Sequence, residues 1–405
     1  MLSVKTPEEV IEVINKNFEN LNRIETVGLL DSLGKVLAED IVCQEFIPNF
    51  TRSTVDGYAV ISKDCFGCSE SIPAILPVTE EIEMGMMPTK TLDKDTCMKI
   101  PTGGALPENA DSVVMLEYTE DYGDGSVGIM KPVAPAENVI FKGDDKKPGD
   151  ILLAKGCKIG SKEIGALAAM GIRTIKVAKP LTIGIISTGN ELIPSSETPK
   201  SGEIRNVNSD LLAAIALENG CKYIDYGIIK DEEKLLLNTV EKALEECDLV
   251  LLSGGSSAGE KDYAARVISE KGEVLFHGIA MKPGKPTILG KALGKPIFGL
   301  PGHPVASYFV SKLFVCYAIK VLRGENKKMI RAKAVLTESI ESNHGRAQYG
   351  GVFLENKNGK LFASPVHSKS GLITTLAMTD GYYQIDNECE GIAKGNEIEV
   401  LIYEG

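Results

Sequence analysis

Positive charge is in short supply here: Lys plus Arg total 44 against 56 for Asp plus Glu, leaving a net charge of -12. That balance argues against nucleic acid or an anionic membrane as the main partner, and an anionic substrate would need local cations or a metal. Long apolar runs are scarce too. The longest, YFVSKLFVCYAIKVL from Tyr308, is broken by Lys312 and Lys320, which argues against a bilayer-crossing segment. The opening MLSVKTPEEV lacks the apolar core of a secretion signal, so a cytoplasmic protein is expected. No disulfide framework is legible: the nine cysteines are scattered and odd in number. Cys65 and Cys68 make a lone C-x-x-C without the second pair that a structural zinc site wants, and read as reduced core or surface thiols. His277, His344 and His367 fall in no ligand-like spacing, and neither repeats nor low-complexity tracts occur.

With 405 residues, the chain exceeds what one hydrophobic core usually supports, and two to four domains are expected. Thr6, Pro7 and Glu9 form a capping box with proline at the first helical position, followed by Val10, Val13, Ile14 and Phe18 on one face. A second helix is predicted from the cap Ser161 to the stop Gly171. Residues 48–143 instead show short β-prone runs punctuated by Pro and Gly, the pattern of a β-rich insert splitting a first domain made of 1–47 and 144–178. From 179 to about 327 strand-like and helix-like stretches alternate, with Ser209 and Asp231 as predicted helix caps, giving a βαβ series with a parallel-type sheet. Residues 328–405 read as a terminal, barrel-like β domain. The fold class expected is therefore a multidomain α/β plus β chain.

Four loops follow the buried strands of the α/β segment: STGNEL, Asp231 after YIDYGII, SGGSSAGEKD after DLVLL, and GLPGHP after KPIF. Loops leaving the carboxyl ends of parallel strands share one edge, where ligands bind. Ser253, Gly254, Gly255 and Ser256 could present several backbone N–H groups to one anion, or simply make a tight turn. Glu191, Asp231 and Asp262 are placed at that same edge, and three carboxylates beside an anion imply a hard cation, Mg²⁺. Asp231 reads equally as a helix N-cap, and Asp262 as a first-turn residue favoured by the helix dipole. In MKPGKPTILG, Lys282 and Lys285 stand in a stiff Pro-Gly frame suited to holding two ammonium groups on a phosphate or oxyanion. Asp56-Gly57 and Thr102-Gly103-Gly104 are turn signals with no chemistry of their own.

Together, TVDGYAV, IPTGGALPENADSVV, STGNELIP, GGSSAGEKDY, KPGKP and GLPGHPV, in this order, resemble the motif set of the molybdopterin molybdenumtransferase family, called MoeA in bacteria and related to the gephyrin E domain. The resemblance covers essentially the whole chain. It implies a split first domain, a β-rich second, an α/β third and a barrel-like fourth, in a homodimer whose active site lies between the third domain of one subunit and the second of its partner. The implied reaction converts adenylated molybdopterin and molybdate to molybdenum cofactor, releasing AMP with Mg²⁺ required; a molybdopterin adenylyltransferase is the implied partner protein. Motif by motif, the resemblance makes Asp56 and Thr102 functional residues of the second domain and Glu191, Asp231 and Asp262 the metal-binding or water-positioning acids. It gives Lys282 and Lys285 to substrate and molybdate, and Pro301 and Pro304 to the pocket wall.

The motifs depart from the family in two places. Where LPGNPVS is usual, this chain has His303 and Ala306, with Ser307 one step on; His303 either donates a hydrogen bond or fills the turn. In the terminal domain Gly350 and Gly351 follow Tyr349, where the family often has an arginine two residues after an aromatic, although Arg346 remains and Ser370 matches the family's serine. Other readings are a molybdopterin adenylyltransferase, which would consume ATP, a scaffold that lost catalysis, or the same insertion with tungstate. Retention of Asp56, Asp231, Asp262, Lys282 and Lys285 argues for activity.

Overall fold

The computed structural model describes residues 4–254, 263–326, 331–342, 344–366 and 372–403. The chain divides into two compact units, one comprising Met1–Glu39, Lys155–Gly160 and Thr174–Gly405, the other Asp40–Ala154 and Ser161–Arg173.

The larger unit is built on a six-stranded sheet. Its strands are β1 (Thr182–Thr188), β2 (Lys222–Ile229), β3 (Leu249–Ser253), β4 (Glu273–His277), β5 (Ile288–Ala292) and β6 (Lys295–Leu300), in spatial order β2-β1-β3-β6-β5-β4. The first four in that order are parallel, and β5 and β4 continue antiparallel, so the sheet is mixed. The antiparallel turn comes from a two-residue hairpin, Leu293-Gly294, with φ of 50° and 76°, which satisfies the positive-φ demand of tight hairpin loops. Both faces of the central strands are covered, which is why they read as continuous apolar runs. Residue alternation sends Leu249 and Leu251 into one core with α1 (Val207–Glu218), and Val250 and Leu252 into another with α2 (Glu233–Glu246) and α3 (Tyr263–Lys271).

The first of those cores also takes the N-terminal helix Pro7–Asn17 through Val10, Ile14 and Phe18. Its predicted capping box is present: the Glu9 N–H donates to Thr6 Oγ1 at 3.3 Å and the Thr6 N–H to Glu9 Oε2 at 2.9 Å. A continuous helical run from Pro304 to Arg323 carries a π turn at Ser311–Val315. By length and composition it could cross a membrane, but 72% of its apolar window is buried within the protein, where Phe309, Val310 and Phe314 fill the core. Gly324, with φ 65°, ends it.

Five strands, Arg331–Leu336, Ala347–Lys357, Lys360–Pro365, Gly381–Ile385 and Glu397–Ile402, form a closed barrel; the Ala347–Lys357 strand closes it by pairing with Gly381–Ile385. Rings join this barrel to the long helix, with Phe309 edge-on to Tyr382 at 5.6 Å between centroids and Tyr308 to Tyr403 at 6.0 Å.

The smaller unit has its own six-stranded sheet, with strands Ser112–Met115, Gly57–Val60, Cys97–Ile100, Ala74–Glu81, Ser126–Ile129 and Thr119–Asp121 in spatial order, plus the helix Ser161–Ala169. Its core holds both cysteines of the C-x-x-C together with Cys97. All nine cysteines are free, and burial pushes the Cys65 and Cys97 thiols up to about 12. Cys65, Cys68 and Cys97 are core thiols.

Candidate functional site

Strand register decides what meets at the α/β sheet edge. Ser187 pairs with Ser253, Thr188 with Ile229, and Ser253 with Leu300, so the loops after β1, β2, β3 and β6 all leave the same edge. Ile288 opposes Gly299, and His277 opposes Ile288, so the connection from His277 to Ile288, which carries Lys282 and Lys285, leaves and returns there too. Glu191, Asp231, Ser253, Gly254, Lys282, Lys285, Pro301, His303 and Pro304 are thereby assembled at one edge. The order of connections reverses across β1, with β2 on one side and β3 on the other, which is where open α/β sheets bind ligands.

Close backbone approach shapes this crevice. A Cβ added at Gly254 would sit 2.1 Å from the Thr188 carbonyl oxygen, and the residue has φ +99°, so only glycine fits. Gly189 bends back with φ +151°, and the Glu191 carboxylate folds over it, 2.9 Å from where a Cβ would be. Asp231 corrects the expectation of a helix cap: the N-cap of α2 is Glu232, without a side-chain cap bond. Half-buried Asp231 instead accepts a hydrogen bond at Oδ1 from Thr188 Oγ1 at 2.8 Å, and its N–H donates to Asn190 Oδ1 at 3.3 Å. A neighbour's hydroxyl has claimed the carboxylate, and this orients an acid at the edge rather than ending a helix. Ser209 likewise is no cap. Asn206 accepts from the Ser209 N–H at 3.4 Å as the N-cap of α1, while Ser209 Oγ donates to Asp225 Oδ2 at 2.6 Å.

Lys282 and Lys285 are both exposed, on a turn that is fixed from several sides. The Ile279 N–H donates to the Lys285 carbonyl at 3.0 Å, Thr287 Oγ1 to the Gly284 carbonyl at 2.7 Å, and Met281–Lys282 adds as a short parallel strand to Ala347 and Gln348 of the barrel. From the other side the Lys5 N–H donates to the Gly278 carbonyl at 3.0 Å, and the Ala280 N–H to the Lys5 carbonyl at 2.8 Å. The ammonium groups thus project from a braced frame.

His303 is exposed at the N-cap of the Pro304 helix and makes no side-chain cap bond there, while Pro301 is buried. Ser307 lies fully buried in that helix with its hydroxyl unpartnered among the described residues. The missing arginine has a steric reason: a Cβ at Gly350 would meet the Tyr383 ring at 2.6 Å, and one at Gly351 the Thr379 methyl at 2.8 Å. Gly255, Ser256, Asp262 and Ser370 lie outside the described residues. Among the described residues no group of three or more His, Cys, Asp or Glu converges on a cation position.

In the smaller unit, Asp56 and Thr102 come together: exposed Asp56 accepts the Thr102 N–H at Oδ1, 2.7 Å. Two turns are zipped side by side, with the Ser53 N–H donating to the Gly104 carbonyl at 3.0 Å and the Gly103 N–H to the Ser53 carbonyl at 2.9 Å. Gly57 is obligatory, since a Cβ there would stand 1.9 Å from the Val114 carbonyl oxygen. So the DG and GG turns hold one carboxylate in a set orientation.

Three family models cover the chain in succession: the MoeA N-terminal region (domain I and II) over residues 5–171, a probable molybdopterin binding domain over 184–321, and the MoeA C-terminal region (domain IV) over 333–403. The molybdopterin molybdenumtransferase of Bacillus subtilis is 32% identical over 99% of this chain and 95% of its own length. The chain belongs to the MoeA family. Its Staphylococcus epidermidis relative, a molybdopterin molybdenumtransferase, is 32% identical over 99% of this chain and 96% of its own. Among solved structures, the molybdopterin biosynthesis MoeA protein of Pyrococcus horikoshii aligns over 99% of this chain and 100% of its own, at 32% identity and a TM-score of 0.86. The activity is accordingly that of a MoeA-family molybdopterin molybdenumtransferase in molybdenum cofactor biosynthesis.

Sequence reasoning missed Asn208 and Asn206. Asn208 Nδ2 donates to Ser253 Oγ at 2.8 Å, to the Gly302 carbonyl at 3.0 Å and to the Pro301 carbonyl at 3.4 Å, and Ser187 Oγ donates to Asn206 Oδ1 at 3.1 Å. The only signal was two asparagines flanking one position at a helix start.

Proposed function

We propose that this MoeA-family chain takes adenylated molybdopterin and molybdate to molybdenum cofactor, releasing AMP, as a cytoplasmic homodimer supplied by a molybdopterin adenylyltransferase. The observation that carries the reading is the assembly of Glu191, Asp231, the Gly254 turn and the two braced lysines at one sheet edge. Cleaving a phosphoanhydride requires neutralising the leaving phosphate and placing an oxygen nucleophile in line, and in this net-acidic chain Lys282 and Lys285 bring positive charge to that edge. An oxygen of molybdate or of water attacks the adenylate phosphorus and the P–O bond to the pterin phosphate breaks; in the molybdate route the Mo–O bond then breaks as the dithiolene sulfurs take up molybdenum and AMP leaves with that oxygen, and in the water route AMP leaves directly and the oxygen displaced from molybdenum leaves as water with the two thiol protons.

Glu191 and Asp231, from the ends of adjacent strands, offer hard carboxylate oxygens, the donor chemistry that Mg²⁺ accepts when substrate phosphates complete its shell. Held by these two, with Asp262 as the third acid, Mg²⁺ would supply charge neutralisation at the diphosphate. Asp56 and Thr102, contributed by the partner copy, orient the oxyanion or the attacking oxygen from a carboxylate already fixed by the Thr102 N–H.

The test supplies adenylated molybdopterin and Mg²⁺ with or without molybdate, or with tungstate, and measures AMP. Oxyanion-dependent release is expected from the wild type, with a loss of ~100-fold or more in Asp56→Ala, the scale seen when one oriented polar group is removed from an active site. Equal release by the two proteins removes Asp56 from the mechanism.

A further inference from the structure

The loops after β3 and β6 both leave the sheet edge, and their bases meet in a long backbone hydrogen bond. The Gly254 N–H reaches the Leu300 carbonyl at 3.4 Å, the long end of the hydrogen-bond range. Among the described residues a Cβ at Gly302 would first meet Gly254 Cα, at 3.9 Å, so the two glycines lie side by side. A carboxamide also spans them. Asn208, 5% exposed in the first turn of α1, spreads its two N–H donors over Ser253 Oγ on one loop and the Pro301 and Gly302 carbonyls on the other. Its own Oδ1 is buried with no partner among the described residues. A buried amide with an unpaired oxygen costs stability, a cost that the bonds made by its donors to the two loops must offset.

We propose that Asn208 is a positioning residue that holds the Ser253–Gly254 and Pro301–Gly302 loops at one fixed separation, and so sets the width of the slot into which the adenylated pterin's phosphates enter. The substrate part rests on the function proposed above; the coupling of the loops does not. Asn206, two residues earlier and bonded to Ser187 at the end of β1, gives the same helix start a hold on a third loop base. One rigid helix N-terminal turn thereby gauges three strand ends, where three independently mobile loops would have to be ordered by substrate at an entropic cost.

The experiment uses the full chain with Asn208→Ala and Asn208→Leu, the latter keeping side-chain volume while removing every donor. Hydrogen exchange read by mass spectrometry should show protection falling at least tenfold in both variants at Ser253–Gly254 and at Gly299–Gly302, with Lys222–Ile229 unchanged. Protection retained in the leucine variant would mean that Asn208 only fills space, and a uniform fall across the sheet would mean that it only supports the fold; either overturns the proposal. With adenylated molybdopterin, the Kd should rise at least tenfold while kcat for AMP release changes less than threefold, and an unchanged Kd overturns the slot-width role. A wild-type protein that released no AMP would sink the proposed reaction and leave the exchange result to judge the loop coupling alone.

Discussion

Gly254 shows how a single missing methyl builds the crevice. The residue combines φ +99° with a carbonyl oxygen 2.1 Å from where a Cβ would be, so Gly254→Ala must either twist its own backbone or push the Thr188 loop away. Strain of this kind costs about 1–3 kcal/mol. Gly302, which carries no positive-φ requirement and whose Cβ would meet no described residue nearer than Gly254 Cα at 3.9 Å, is the natural control. Urea denaturation should show Gly254→Ala destabilised by ~2 kcal/mol and Gly302→Ala nearly unchanged. If both shift alike, the Thr188 contact is not what makes glycine necessary. The Asp231 carboxylate carries the same lesson: what fixes it is a hydroxyl 43 positions earlier in the chain.

Elements differ in how far local sequence specifies them. The Pro7–Asn17 helix was legible down to its cap because both partners of the capping box lie within one turn. Thr6→Ala should cost about 1 kcal/mol, read as a lower unfolding midpoint, and Thr6→Ser should restore most of it. The parallel strands were legible as apolar runs, as was the terminal barrel from its short alternating strands. The hairpin joining β5 to β6 was not, since leucine at 293 occupies a positive-φ position where Asn or Gly would announce the turn, and the sheet is mixed as a result. The caps assigned to Ser209 and Asp231 failed for one shared reason. Each side chain is a good local capper, but Asp225 and Thr188 respectively bind it from a neighbouring strand or loop. Asn208 was invisible because its partners are 45 and 94 positions away, and no local pattern encodes that distance.

At the level of the whole molecule, the larger unit is assembled from three separated stretches of chain, and its main core cannot be closed by the last one alone. Val10 and Ile14 are 0% exposed there, and Phe18 is 5% exposed. A fragment beginning at Thr174 would leave that apolar surface open, with a loss on the scale of several core truncations at about 2–5 kcal/mol each. Such a fragment should lack a cooperative thermal transition on its own and regain one when a peptide of residues 1–39 is added; a cooperative melt without the peptide would show the N-terminal stretch to be dispensable. The brace around Lys282 and Lys285 has a similar reach, from Lys5 on one side to Gln348 on the other. During synthesis, therefore, the nascent chain cannot give the lysine turn its final register until Gln348 has cleared the ribosome, so a stalled or prematurely terminated product would hold most of the sheet yet greet a phosphate with an unfinished grip.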